Sequence, residues 1–168
     1  MLPFPEWVIF HVPHDSKVIS AEVRHQFALD DAALMQEIIK MTDHHTLNLF
    51  THGVPEQQII RSPVSRLVVD VERFLDNIME PMATRGVGVK KALVNQFEIA
   101  GYSTALNTPF AGSLVPMPFY QIDSRVSSVM VEVNRALYCD EKTGEVTANF
   151  DKVARQIHDC LISGMIDF

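Results

Sequence analysis

Trp7-Val8-Ile9-Phe10-His11-Val12-Pro13-His14-Asp15-Ser16 is the stretch on which the fold turns. Four large apolar side chains are followed by imidazole, carboxylate and hydroxyl groups. Such a run reads as a buried strand that delivers polar groups into a loop. A helix is expected next, from about Leu29 to Thr42, where Ala28, Ala32, Met35 and Ile39 form an apolar stripe. Asp30 and Asp31 stand at its positive end and Lys40 at its negative end, as the helix dipole favours. The polar segment Thr42-Asp43-His44-His45-Thr46 follows.

Further strands are expected at Arg66–Val71, Tyr102–Leu106 and Ser128–Val133, each ending in polar residues. Leu93, Phe97 and Ala100 make another helical stripe, closed by Gly101 at the C′ position. A last helix begins near Asn149 and carries Phe150, Val153, Ala154, Ile157 and Leu161 on one face. Strands alternating with helices predict an α/β fold with a mixed, largely parallel sheet. There is no internal repeat and no flexible linker, so residues 1–168 read as a single domain.

The whole-chain chemistry agrees with a globular protein. The 168 residues are 47% hydrophobic and 21% charged, a composition that excludes disorder and low-complexity structure. The net charge of −7 argues against nucleic acid, which selects a basic face. It does not exclude an acidic small molecule, because an arginine inside a cleft outweighs distant surface carboxylates. Cys139 and Cys160 are too few for a disulfide framework and fit buried thiols in a reducing compartment. The amino terminus has no basic segment and only a short apolar run, so neither a signal peptide nor a membrane partner is expected. The expected location is cytoplasmic.

In open α/β sheets, ligands bind beyond the carboxyl ends of the strands. His14, Asp70 with Arg73, Asn107, and Glu132 with Arg135 occupy such ends. Histidine and carboxylate groups suit Zn²⁺, yet no tight metal-binding spacing is present. Glu132 lies inside Val129-Met130-Val131-Glu132-Val133, where an inward carboxylate needs a partner and an outward one does not. It is a candidate general base, with a polar face or a pair with Arg135 as the plain alternative. Arg66, Arg73 and Arg135 offer planar forks for a substrate carboxylate, or plain surface ion pairs.

Several stretches, taken in order, resemble the N-formylglutamate amidohydrolase family. They are VIFHVPHDS (Val8–Ser16), MTDHHTLNLF (Met41–Phe50), SRLVVDVERF (Ser65–Phe74), GYSTALNTPFAG (Gly101–Gly112) and VMVEVNRALYCDE (Val129–Glu141). The resemblance implies a three-layer, carboxypeptidase-like hydrolase fold. It also implies a zinc-dependent enzyme that cleaves the formyl amide of N-formyl-L-glutamate, often in histidine breakdown. By that likeness His14 and Asp43 are the candidate metal ligands, and Glu132 would activate a water. Arg66, Asp70, Arg73, Asn107 and Arg135 match positions expected around an acidic N-acyl amino acid. The alternative is a non-catalytic binding domain that has lost part of its metal site, and a third reading is a hydrolase acting on another acylated amino acid.

The sequence departs from the family at Asp15, where serine is commoner, and at Glu72, where asparagine is frequent. The larger departure is internal. After Val89 the family normally continues into a long central segment with the histidine expected as third metal ligand, whereas here Val89 runs directly into Lys90. Either the polypeptide lacks that segment or residues are missing from the sequence between Val89 and Lys90. The second is favoured, since excising central strands would expose apolar surface and unpaired sheet edges.

Overall fold

A computed structural model describes residues 2–72, 87–109, 113, 115, 116, 118, 119 and 122–166. The chain forms two compact units, residues 1–73 with 133–155 and residues 74–132 with 156–168. Among the described residues the structure is α/β, with one two-stranded sheet and several helices.

In the first unit β1 (Phe10–Val12) pairs in parallel with β2 (Ile59–Arg61), in the register Phe10↔Ile59, His11↔Ile60 and Val12↔Arg61. A parallel pair needs a long crossover. Here it contains α1 (Ala21–Arg24), α2 (Asp31–Met41) and α3 (Thr46–Thr51). Buried Gln58 donates from Nε2 to the carbonyls of Pro5 and Val8, both at 2.8 Å, and so ties the amino-terminal segment to the start of β2.

Helix α2 starts because the Asp30 carboxylate accepts the Ala33 N–H at 2.8 Å, satisfying one orphan donor of the first turn. It buries Leu34 and Ile38, while Met35 is exposed. The stripe expected through Ala32 and Met35 is thus not the buried one. Two larger aliphatic side chains at i and i+4 outweigh an alanine and a flexible methionine on the neighbouring face. The carboxyl end of α2 is closed by Arg135, whose Nη1 donates to the carbonyls of Ile39 (3.2 Å), Lys40 (3.4 Å) and Thr42 (2.8 Å). Buried His44 adds Nε2 to the Ile39 carbonyl at 2.9 Å. His45 takes a left-handed conformation (φ 63) and donates from Nε2 to the Gly144 carbonyl at 2.8 Å.

In the second unit α4 (Val87–Ile99) runs unbroken through Val89–Lys90. Its end matches the expectation at Gly101, which has φ +90. The Gly101 N–H bonds Glu98 O and the Tyr102 N–H bonds Phe97 O, both at 3.0 Å. The Phe97 and Tyr102 rings meet edge to face, with centroids 6.0 Å apart. Helix α5 (Phe150–Ile166) begins in the first unit and ends in the second, where Gly164 lets it approach Leu93 of α4. No described helix is long and apolar enough to cross a membrane.

The strands expected elsewhere are not formed. The run expected over Trp7–Phe10 starts at Phe10 and ends at Val12, three residues nearer His14 at its start. Residues 65–68 turn instead of extending, because Ser65 makes local bonds: Oγ accepts Leu67 N–H at 3.2 Å, and its carbonyl accepts Val68 N–H at 2.9 Å. Described residues 102–106 and 128–133 pair with no strand. The three-layer sandwich with its larger sheet is therefore not seen among the described residues.

Two glycines with similar backbone angles separate strain from crowding. Gly53 (φ +76) has nothing within 4 Å of an added Cβ, whereas at Gly144 (φ +74) that atom would stand 2.6 Å from His44 Cε1. Gly53→Ala should cost about 1 kcal/mol, the left-handed penalty alone. Gly144→Ala should cost about 3 kcal/mol, because overpacking adds to it. Urea unfolding of the two variants checks the difference; equal losses would show that the His44 contact is unimportant.

Candidate active site

Proline at 13 prevents β1 from continuing, and the chain turns His14 inward, where its ring is 5% exposed. Two contacts lock this turn to the segment that follows β2. Ser16 Oγ donates to the Pro63 carbonyl at 3.0 Å, and the Val18 carbonyl accepts the buried Ser65 N–H at 2.8 Å. The Asp43 N–H donates to the His14 carbonyl at 3.0 Å, bringing the α2–α3 loop to the same place.

Three carboxylates surround the imidazole. Asp70 Oδ1 lies 2.8 Å from Nε2, while Asp43 Oδ2 and Glu72 Oε2 lie 3.4 and 3.7 Å from Nδ1. Asp70 is itself held: Oδ2 accepts from Arg66 Nη2 at 2.8 Å, and Oδ1 accepts the Glu72 N–H at 3.1 Å. Since a carboxylate can only accept, Nε2 carries a hydrogen and Nδ1 faces the other two acids. The two sides of the ring differ in access. Asp70 and Arg66 are mostly covered, whereas the Asp43 side chain is 52% exposed.

The charges follow this geometry. Burial pulls the His14 pKa down, but hydrogen bonds to Asp43 and Asp70 overcome it and leave the pKa raised. For Asp70 burial pushes up; the bonds from Arg66, His14 and the Glu72 N–H prevail and hold it at about 2. Buried His44 moves the other way, pulled down by desolvation.

Of the residues expected from sequence, His14, Asp43, Arg66 and Asp70 meet in this cluster. Arg135 belongs to the same unit, with its guanidinium engaged by the carbonyls that end α2. Asn107 (φ 54) and Glu132 belong to the second unit, and Glu132 is exposed, on the outward side of an alternating run with Met130 and Asn134. Arg73 lies outside the described residues. Sequence reasoning noted Glu72 only as a departure and missed its place beside His14; the Asp-x-Glu spacing was the available signal.

A histidine bonded to a carboxylate through one nitrogen and facing another acid with its second nitrogen is a donor set that suits a divalent cation. His14 and Asp43 fit as a pair of ligands. Among the described residues, however, no group of three or more His, Cys, Asp or Glu side chains could hold a metal ion.

The Asp70 bonds predict a defined pH response in the metal-free protein. With the folded pKa below the ordinary 3.8, Asp70 contributes stability that is present above about pH 4 and lost as pH falls toward 2. His14, raised above 6.5, contributes in the opposite sense: fully below 6.5 and progressively less as pH rises through the folded value. Asp70→Asn should flatten both limbs in urea-unfolding series across pH. An unchanged profile would show that these bonds do not form in solution.

A protein-family model described as N-formylglutamate amidohydrolase matches residues 7–91, about half of the chain, and the match ends beside Val89–Lys90. No curated protein and no solved structure matches.

Proposed function

Because the chain belongs to the N-formylglutamate amidohydrolase family, we propose that it is a metal-dependent hydrolase cleaving the formyl amide of N-formyl-L-glutamate or a similar N-acyl amino acid. The observation that carries this reading is the meeting of His14, Asp43, Arg66 and Asp70, all within the matched residues.

His14 and Asp43 would hold the metal, with zinc proposed from the donor types. Bound there, it would supply a lowered water pKa and a polarised amide carbonyl. Asp70 fixes the imidazole: by accepting the Nε2 hydrogen it directs the Nδ1 lone pair toward Asp43. Arg66 holds Asp70 in turn, fixing the carboxylate that orients the ring. Glu132 is the proposed general base on sequence grounds. It would take a proton from the attacking water and return it to the departing amine as the C–N bond breaks, leaving formate and the free amino acid.

Formate release from N-formylglutamate and related N-acyl amino acids tests the proposal. The reaction should stop on exhaustive chelation and resume with added Zn²⁺. Glu132→Gln should lower turnover by roughly 10²–10⁴-fold while leaving the fold intact. Full activity after chelation would overturn the metal dependence, and full activity in the variant would overturn the base.

A further inference from the structure

We propose that His45 is a positioning residue for the metal site, its side chain anchoring the loop that presents Asp43 to His14. The inference rests on the hydrolase reading and deepens its metal-binding half. Four residues, Thr42 to His45, connect α2 to α3. The chain turns at His45, whose φ of 63 lies in the left-handed region. Glycine takes that conformation freely, whereas a residue with a Cβ is strained in it. His45 also occupies the N-cap of α3, where serine, threonine, aspartate or asparagine would accept a helix N–H, and its side chain makes no such bond. Neither the turn nor the cap accounts for an imidazole at this position.

The imidazole instead reaches out of the loop. Nε2 donates to the carbonyl of buried Gly144, 99 residues away, at 2.8 Å. The ring meets Phe150 edge to face, with centroids 6.0 Å apart. Gly144 and Phe150 belong to the same unit as the loop. Backbone contacts carry this anchorage to Asp43. The Asp43 carbonyl accepts the Thr46 N–H at 3.2 Å and the Thr46 Oγ1 hydroxyl at 2.8 Å, bracketing His45, and the Asp43 N–H reaches the His14 carbonyl at 3.0 Å. The Asp43 side chain is 52% exposed and stands 3.4 Å from His14 Nδ1, so its place depends on its backbone. Arg135 holds that backbone on one side, at the Thr42 carbonyl, and His45 holds it on the other.

Zn²⁺ titration against a chromophoric chelator, together with urea unfolding of the metal-free protein, tests the proposal. His45→Gly removes the imidazole and the backbone strain at once. Its metal-free stability should stay close to that of the wild type, while zinc binding weakens about tenfold. His45→Asn tolerates the left-handed backbone but is too short to reach Gly144, and should bind zinc as weakly. His45→Gln returns an N–H of similar reach and should recover most of the affinity. Unchanged zinc affinity in His45→Gly and His45→Asn, with stability lost, would show a purely structural residue and overturn the proposal. A His45→Gln protein that binds as weakly as His45→Asn would do the same, since the N–H to Gly144 would then not be what matters. Asp43→Asn separates this inference from the reading beneath it. Zinc binding that needs Asp43 but not His45 overturns the role of His45 alone. Binding unaffected by Asp43→Asn, or no zinc bound by the wild type, overturns the metal site and this inference with it.

Discussion

Burying the His14 ring is the constraint on which the first unit depends. An imidazole has two nitrogens, and a buried polar atom left unmet costs about 1–3 kcal/mol. Asp70 meets Nε2 from 56 residues away, and the parallel sheet makes the meeting possible. In a parallel pair both strands leave the sheet at the same end. Val12 and Arg61 are the last paired residues, so the chain beyond each emerges side by side. His14 on one and residues 63–72 on the other are then joined by the Ser16 and Ser65 bonds. The longer bonds of the site depend on this short ladder.

A second constraint places Asp43. It lies just past the end of α2, where carbonyls lack helical partners. Arg135 and His44 supply donors there, and the Thr42 carbonyl, one residue before Asp43, takes the 2.8 Å bond from Arg135. Arg135 thereby acts on the site through the loop that carries Asp43. A guanidinium suits this role because its several N–H groups lie in one plane and can reach adjacent carbonyls together.

What could be read from the sequence divides along local and non-local lines. The acidic start of α2, the stop at Gly101 and the last helix are settled by neighbours within a few residues and were legible, although the sequence reading placed Asp30 within the helix and not at its cap. Strand pairing was not. Arg66–Val71 and Ser128–Val133 have apolar alternation, but alternation only says that one face is covered; it names no partner. At Ser65 a hydroxyl and a carbonyl offer nearby N–H groups a local acceptor, and the turn forms instead of a strand. In 128–133 the alternation persists without a ladder, with Met130 and Glu132 facing out. The candidate site was legible through the resemblance, which singled out His14 and Asp43, and not from residue type alone. The function of Asp70 as the partner of His14 required the fold.

The division into units bears on the segment that the resemblance leads one to expect after Val89. Among the described residues, His14, Asp43, Arg66, Asp70 and Glu72 contact one another within the first unit. Arg135, from beyond position 91 and in the same unit, bonds the Thr42 carbonyl next to Asp43. The family match likewise covers the cluster and ends at residue 91. A segment gained or lost at Val89–Lys90 therefore falls outside the contacts of the His14 ring with Asp43, Asp70 and Glu72. The carboxylates beside Nδ1, Asp43 and Glu72, are the same residues in either case.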